Sequence, residues 1–147
     1  MIVYADSSVL ARAYLADEPG HETARALLDD PEIVLVTGSW TRIEVPGALV
    51  RAARAQRGLR DDLLALWSAD IDPDSGPITV LTANQDDVER TALQIVLSHG
   101  VRAMDAWHVA VAALTVPELA AGEEYGFATR DKAQASVAAD HGFQPVG

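Results

Sequence analysis

Short apolar runs alternate with helix-forming stretches along the whole chain, and this alternation restricts the possible folds most. Apolar runs of strand length occupy residues 2–5, 33–36, 78–81 and 125–128, and a short edge strand is predicted over 143–146. Continuously apolar strands are typical of parallel sheets, in which helices cover both faces. The pattern therefore predicts an α/β fold, a three-layer α/β/α sandwich with a mainly parallel central sheet.

Amphipathic spacing and capping residues predict the helices between these strands. The stretch 6–8 supplies an N-cap for the first helix, and Ser39 and Thr41 are predicted to cap the helix after the second strand. Further helices are predicted over residues 22–28, 59–67, 84–97, 106 to about 114 and 131 to about 139, with Pro117 and Gly122 marking a loop. No repeat or low-complexity stretch divides the chain, so residues 1–147 are predicted to form a single domain.

Composition bears on where the protein works and on what it binds. The first residues show no basic stretch followed by a long apolar one, and no segment has the apolar length of a membrane span. With no cysteine in the chain, a cytoplasmic protein without a membrane partner is expected. The net charge of −11 argues against a simple nucleic-acid binder, which normally carries a basic surface. That argument weakens if several acids share a bound cation.

Four acids stand where strands give way to helices, namely Asp6, Glu44, Asp105 and Asp131. Asp6 directly follows the first strand, and Glu44 comes about one turn into the helix after the second. Asp105 opens its own predicted helix, and Asp131 follows the fourth strand after two residues. Ligands in open parallel sheets bind beyond the carboxyl ends of the strands, where these four side chains would meet.

Taken singly, each acid has a simpler interpretation. An aspartate at a helix start is most often a cap, as Asp105 and Asp131 would be, and Glu44 alone would be a solvated helix residue. As a set, the carboxylates would repel one another and raise their pKa values unless a cation joined them. Mg²⁺ or Mn²⁺ is the expected cation, because both prefer oxygen ligands.

Four blocks in order resemble the PIN-domain ribonucleases, in particular the VapC-type toxins of bacterial toxin–antitoxin pairs. The blocks read YADSSVL at 4–10, SWTRIEVPGAL at 39–49, VRAMDAWHVA at 101–110 and FATRD at 127–131. Each block alone is degenerate, but the order and spacing agree along essentially the whole chain. The resemblance implies the PIN-like version of the predicted sandwich.

The resemblance also implies a site and partners. Asp6, Glu44, Asp105 and Asp131 take the places of the family's acidic quartet, with Asp6 and Asp105 as direct metal ligands. Ser8 and Thr129 match supporting polar residues. The implied activity is a Mg²⁺- or Mn²⁺-dependent endoribonuclease that cleaves RNA, acts as a toxin, is neutralised by a VapB-type antitoxin and forms a homodimer.

Several other side chains have two interpretations. His108 lies three residues after Asp105, but in so apolar a helix a packed or hydrogen-bonded histidine is favoured over a ligand. The three tryptophans can stack bases, although packing is favoured for at least two of them. The arginines between residues 42 and 60 form either a phosphate-binding rim or a solvated helix face. The helix over 59–67 could supply either a dimer interface or the antitoxin groove.

Two other functions compete with the nuclease. A receiver-like phosphoacceptor domain also gathers acids at strand ends and uses a threonine and a lysine, for which Thr129 and Lys132 are available. However, such a domain needs an acid pair after its first strand, and Asp6 is followed by two serines. A hydrolase of the haloacid dehalogenase type needs an acid two residues after its nucleophile, where this chain has Ser8.

Overall fold

Five short strands form one parallel sheet at the centre of the molecule. The computed structural model describes residues 1–147. The strands are β1 (Ile2–Ala5), β2 (Val34–Gly38), β3 (Ile78–Leu81), β4 (Tyr125–Ala128) and β5 (Gln144–Val146). Their order across the sheet is β3-β2-β1-β4-β5, and every neighbouring pair is parallel. The chain therefore begins in the middle of the sheet, with β1 between β2 and β4.

Seven helices connect and cover these strands. They are α1 (Ser7–Arg12), α2 (His21–Asp29), α3 (Thr41–Arg54), α4 (Arg60–Asp70), α5 (Gln85–His99), α6 (Ala103–Ala120) and α7 (Lys132–Asp140). The first four pack on one face of the sheet and the last three on the other. This arrangement confirms the predicted three-layer α/β/α sandwich. None of the helices combines the length and apolar character needed to cross a membrane.

Side-chain alternation along β1 divides the core into two layers. Val3 and Ala5 pack with the layer formed by α1 to α4, whereas Tyr4 packs with α5 to α7. All three residues are completely buried. Burial of both faces explains why β1 reads as an unbroken apolar run rather than as an alternating one.

Helix α6 differs most from the prediction, which placed it from residue 106 to about 114. The helix starts three residues earlier and continues through Pro117, where a loop was expected, to Ala120. Pro117 stands in the last turn, so its missing N–H leaves only the carbonyl group of Ala113 without a helical partner. Ala110, Val111, Ala112 and Val116 are buried, and their packing holds the helix together past the proline.

The start of α3 also departs from the prediction that Ser39 and Thr41 cap it. Trp40 occupies the N-cap position and makes no side-chain cap. The Thr41 hydroxyl instead pairs with that of Thr37 at 2.8 Å, while Thr37 Oγ1 donates to the Ala5 carbonyl at 2.7 Å. These buried hydroxyls join β2 to β1, so tertiary hydrogen bonding displaces the local cap.

Gly38, the last residue of β2, should be sensitive to any side chain. A Cβ atom there would lie 2.5 Å from the Tyr4 hydroxyl and 2.8 Å from the Trp107 ring. We expect Gly38→Ala to lower the free energy of unfolding by about 1–3 kcal/mol through overpacking, as measured by urea denaturation.

Gly47→Ala provides the matched control. Gly47 lies inside α3, and its added Cβ would meet only the exposed Arg51 side chain, at 3.3 Å. Removing a glycine from a helix interior should stabilise the protein by about 0.5–1 kcal/mol. Equal effects of the two substitutions would contradict the packing assigned to Gly38.

Candidate active site at the carboxyl edge of the sheet

The fold brings the four acids to the carboxyl edge of the sheet. Asp6 follows β1 and caps α1, and Asp131 lies beyond β4 and caps α7. Glu44 lies in the first turn of α3, after β2, and Asp105 lies in the first turn of α6. The prediction that Asp105 opens its helix is wrong, because Arg102 is the N-cap and Asp105 is the third helical residue.

Asp6 is the most constrained of the four acids. The residue is nearly buried, with an exposed fraction of only 5%. Oδ1 accepts hydrogen bonds from the Val9 N–H at 3.0 Å and the Ser8 hydroxyl at 2.8 Å. Oδ2 accepts from the Thr129 hydroxyl at 2.9 Å. Ser8 and Thr129 therefore both donate to Asp6, and together with the Val9 N–H they surround a nearly buried carboxylate with three donors.

Gln134 and Thr129 extend this network to the other acids. The Thr129 oxygen accepts from the Asp131 N–H at 3.1 Å and lies 2.6 Å from Gln134 Oε1. A hydroxyl has one proton, so it can donate to Asp6 or to Gln134 but not to both at once. Gln134 is completely buried, and its Nε2 donates to the Asp105 backbone carbonyl at 3.3 Å. The loop after β4 is thus tied to the start of α6.

Burial and neighbouring charges shift the pKa of Asp105. Its pKa is raised by desolvation first, and then by the charges of Asp131 and Asp6. His108 and Arg102 oppose the rise but do not cancel it. A position in the first helical turn ordinarily favours a carboxylate, so burial and repulsion outweigh the helix dipole here. Asp105 therefore lies within the field of two other acids at this edge.

Glu44 is held by a separate chain of hydrogen bonds that starts in the core. Its Oε1 lies 2.8 Å from His108 Nε2, and His108 Nδ1 lies 2.7 Å from the Tyr4 hydroxyl. Desolvation, followed by the charge of Asp6, raises the pKa of Tyr4 well above its usual value, so the phenol stays protonated. It can then donate to Nδ1, which leaves the Nε2–H to donate to Glu44. The expectation of a hydrogen-bonded rather than ligating His108 agrees with this geometry.

The tryptophans separate into core and edge. Trp67 is 2% exposed and packs between the helices of the first layer, so a partner molecule cannot contact its ring. Trp107 is half-buried and stacks on Trp40, which is exposed. Packing is therefore confirmed for two of the three, and Trp40 remains available to solvent.

The arginines predicted as a possible rim are not equivalent. Arg57 is committed to ion pairs with Asp17 at 2.8 Å and Glu18 at 3.0 Å, and Arg60 pairs with Asp61. Arg42, Arg51 and Arg54 are exposed and form no ion pair. Of the five arginines predicted as a rim, only these three leave positive charge free for an anionic ligand, and Arg102 beside Asp105 also forms no ion pair.

The acids suit a hard divalent cation in their chemistry. As the side chains stand, no three acidic or histidine groups converge closely enough to enclose one ion. The donor set nevertheless consists of carboxylate oxygens, and the pKa of Asp105 is raised by desolvation and by the charges of Asp131 and Asp6. Mg²⁺ commonly keeps several waters and uses one or two carboxylates, so direct enclosure by three side chains is not required. Asp6 and Asp105 are the residues that would hold it.

Sequence reasoning missed two contributors, Tyr4 and Gln134. Tyr4 lies in an apolar strand, and nothing in the sequence indicates that its hydroxyl reaches a histidine 104 positions later. Gln134 stands three residues after the cap Asp131, the spacing of a capping box, and this pattern could have drawn attention to it. In the structure its side chain serves Thr129 and Asp105 instead of the helix start.

Comparison with known proteins gives one family. A sequence profile described as PIN domain matches residues 3–140, nearly the whole chain. No curated protein matches the chain. The matched range includes all four acids and both supporting hydroxyl residues.

The raised pKa of Asp105 has a consequence for stability. In the unfolded chain the carboxyl titrates near 3.8, and in the folded protein it titrates higher. Between these values the folded state binds more protons, so stability falls as pH rises through this window, and the loss is complete once the pH exceeds the pKa of the folded protein. We expect Asp105→Asn to unfold at higher urea concentration than the wild type at pH 7 in chelator.

Asp62→Asn is the matched control, because Asp62 is the third residue of α4 as Asp105 is of α6, and it is exposed. Its loss should leave stability within about 0.5 kcal/mol, slightly lower through the helix dipole. The gain from Asp105→Asn should disappear below about pH 4. An Asp105→Asn protein that is less stable than the wild type at pH 7 would refute the assigned repulsion.

Proposed function

Because the chain belongs to the PIN-domain family, we propose that it is a metal-dependent endoribonuclease. PIN domains are generally nucleases, and hydrolysis of a phosphodiester is the shared activity. The observation that supports the proposal most is the environment of Asp105, whose pKa is raised by desolvation and by the charges of Asp131 and Asp6. Acids held together against repulsion are characteristic of a functional site rather than of helix capping.

We assign the metal to Asp6 and Asp105 and water positioning to Glu44 and Asp131. A bound Mg²⁺ or Mn²⁺ would supply positive charge to the phosphodiester and acidify the attacking water. Glu44 Oε1 already accepts a hydrogen bond from His108. Glu44 Oε2 is therefore the oxygen that can accept the proton lost by the attacking water. His108 and Tyr4 hold the orientation of Glu44, and Ser8 and Thr129 hold that of Asp6.

An RNA substrate requires positive charge that the net charge of −11 does not offer overall. Arg42, Arg51 and Arg54, which form no ion pair, lie on α3, the helix that carries Glu44. Arg102 precedes Asp105 at the start of α6. Local basic groups around the acids therefore support contact with a phosphate backbone.

We further propose that the protein is the toxin of a toxin–antitoxin pair. Residues of α1 and α3, including Ser8 and Glu44, line a groove of about 700 Å³. It combines apolar Leu15 and the exposed Ile43 with basic Arg12 and Arg51. A segment of a VapB-type antitoxin that carries apolar and acidic residues would fit this groove and cover the acids.

A homodimer is the proposed assembly. Leu93 and Leu97 on α5 are 58% and 76% exposed, and Leu119 on α6 is 53% exposed. Helices α5 and α6 pack against each other, so these leucines can contribute to one apolar surface. No observation favours the receiver-like phosphoacceptor alternative.

Loss of the metal ligands should abolish RNA cleavage. We expect Asp6→Asn and Asp105→Asn to lower the rate of cleavage of total RNA at least 100-fold with Mg²⁺ or Mn²⁺, since each removes a charged ligand. Chelator should abolish cleavage by the wild type. Gel analysis of the fragments measures the effect.

Asp62→Asn, which removes an equal charge from an exposed position on α4, should retain full activity. Expression of the wild type without an antitoxin should slow growth, whereas Asp6→Asn should not. Cleavage that persists in both ligand variants would sink the nuclease assignment; cleavage without growth arrest would remove only the toxin role.

Binding of the metal should also be visible without any substrate. Millimolar Mg²⁺ or Mn²⁺ should raise the melting temperature of the wild type, because a ligand that binds only the folded state stabilises it. The increase should shrink or vanish in Asp105→Asn. Differential scanning fluorimetry in matched ionic strength separates this effect from general screening. An equal rise in both proteins would argue against Asp105 as a ligand.

A further inference from the structure

Trp40 and Trp107 form an aromatic platform at the same edge of the sheet as the acids. Their ring centroids lie 5.3 Å apart, and the ring planes meet at 28°. Trp40 is 49% exposed, which is unusual for so large an apolar side chain, whereas Trp107 is half-buried. The proposed nuclease mechanism uses neither ring.

Trp107 is fixed from below. Its ring packs over Gly38, where even one added carbon atom would come within 2.8 Å of Cη2 and Cζ3. Its edge contacts the His108 ring, with centroids 5.0 Å apart and planes at 86°. The exposed Trp40 ring therefore rests on a partner that the core holds in place.

The platform adjoins the acids through both chain segments. The Glu44 N–H donates to the Trp40 carbonyl at 3.0 Å, so Trp40 lies one helical turn before Glu44. Trp107 follows Asp105 by two residues on α6. A phosphodiester bound at the acids would thus carry its neighbouring nucleoside toward the two indole rings.

A cavity of about 500 Å³ lies beside the platform. Both tryptophans line it, together with the polar residues Ser39, Thr82 and Gln85 and the acid Glu89. No basic side chain is among its lining residues, so a phosphate finds no counter-charge there. Polar groups beside flat aromatic faces suit an uncharged base, which can stack and form hydrogen bonds along its edge.

We propose that Trp40 stacks on an unpaired base of the RNA substrate, next to the phosphodiester that is cleaved. The base edge faces Ser39, Thr82 and Gln85, so these residues contribute to base selection. This inference rests on the proposed nuclease function and names how that site holds its substrate. Single-stranded RNA is the expected class, because paired bases are already stacked on their neighbours.

The test measures RNA binding separately from cleavage. The full-length protein, in chelator to prevent cleavage, is titrated into a labelled single-stranded RNA of mixed sequence, and binding is followed by fluorescence anisotropy. A labelled strand of the same length that lacks bases reports the backbone contribution alone. We expect Trp40→Leu to weaken RNA binding on the order of 5- to 150-fold, the range expected for a lost stacking contact.

Three comparisons sharpen the result. Trp40→Phe keeps an aromatic face and should recover most of the affinity, Leu66→Ala removes another exposed apolar side chain and should bind like the wild type, and the baseless strand should not distinguish Trp40→Leu from the wild type. Circular dichroism checks that each variant is folded. If Trp40→Leu does not fold, quenching of the wild-type tryptophan fluorescence by RNA but not by the baseless strand carries the test.

Each of the other outcomes contradicts a named part of the proposal. Wild-type protein that binds no RNA, either in chelator or in a brief titration with Mg²⁺, overturns the substrate class and the platform together. Wild-type binding that Trp40→Leu retains overturns the platform alone. Retained RNA binding with a changed sedimentation coefficient would identify Trp40 as part of a protein interface instead of a base site.

Discussion

The arrangement of the acids at the carboxyl edge of the sheet depends on the hydrogen bonding of the Asp6 carboxylate. A nearly buried negative charge is costly unless donors surround it, and Asp6 receives donors from Ser8, Val9 and Thr129. These donors come from α1 and from the loop after β4, and the Asp6 N–H itself donates to the Ala128 carbonyl at 3.2 Å. Satisfying this one charge therefore aligns the end of β1 with the end of β4, which places Asp131 and, through Gln134, Asp105.

Two hydrogen-bonded systems meet at this edge, and they have different origins. The Asp6 system is made of backbone and hydroxyl groups near the ends of strands, so it belongs to the carboxyl edge of the sheet. The Glu44 system passes from Tyr4 in the central strand through His108. The first system orients Asp6 and the loop that carries Asp131. The second orients Glu44, the acid to which we assign water positioning. The division explains how an acidic PIN domain can keep four carboxylates ordered at one edge.

Local patterns in the sequence predicted the layered fold well, and they predicted contacts between distant residues poorly. The apolar runs marked β1, β3 and β4 at their observed bounds and β2 within two residues, because burial on both faces leaves an unbroken apolar signature. The cap that Asp131 provides could also be predicted, because a cap is a local interaction. Helix α6 was misjudged because Pro117 normally signals an end, whereas tertiary packing carried the helix beyond it.

The pairing of His108 with Glu44 spans 64 positions, and that of Tyr4 with His108 spans 104. No spacing rule connects such residues until the strand order is known. The start of α6 was wrong by three residues for a related reason, because the helix starts after an arginine that makes no side-chain cap. Helix starts that lack a capping side chain leave little trace in a sequence.

The two layers of the core should differ in how freely they can vary during evolution. In the layer of α1 to α4, Val3, Leu35 and Leu49 belong to an apolar cluster, so volume-conserving exchanges among them alter mainly packing. In the opposite layer the Tyr4 ring stacks on Phe127 at 5.2 Å while its hydroxyl reaches His108. An exchange at Phe127 would shift that hydroxyl, so drift in this layer retunes chemistry at a distance. Homologues with divergent cores should therefore differ in turnover even when their acids are identical.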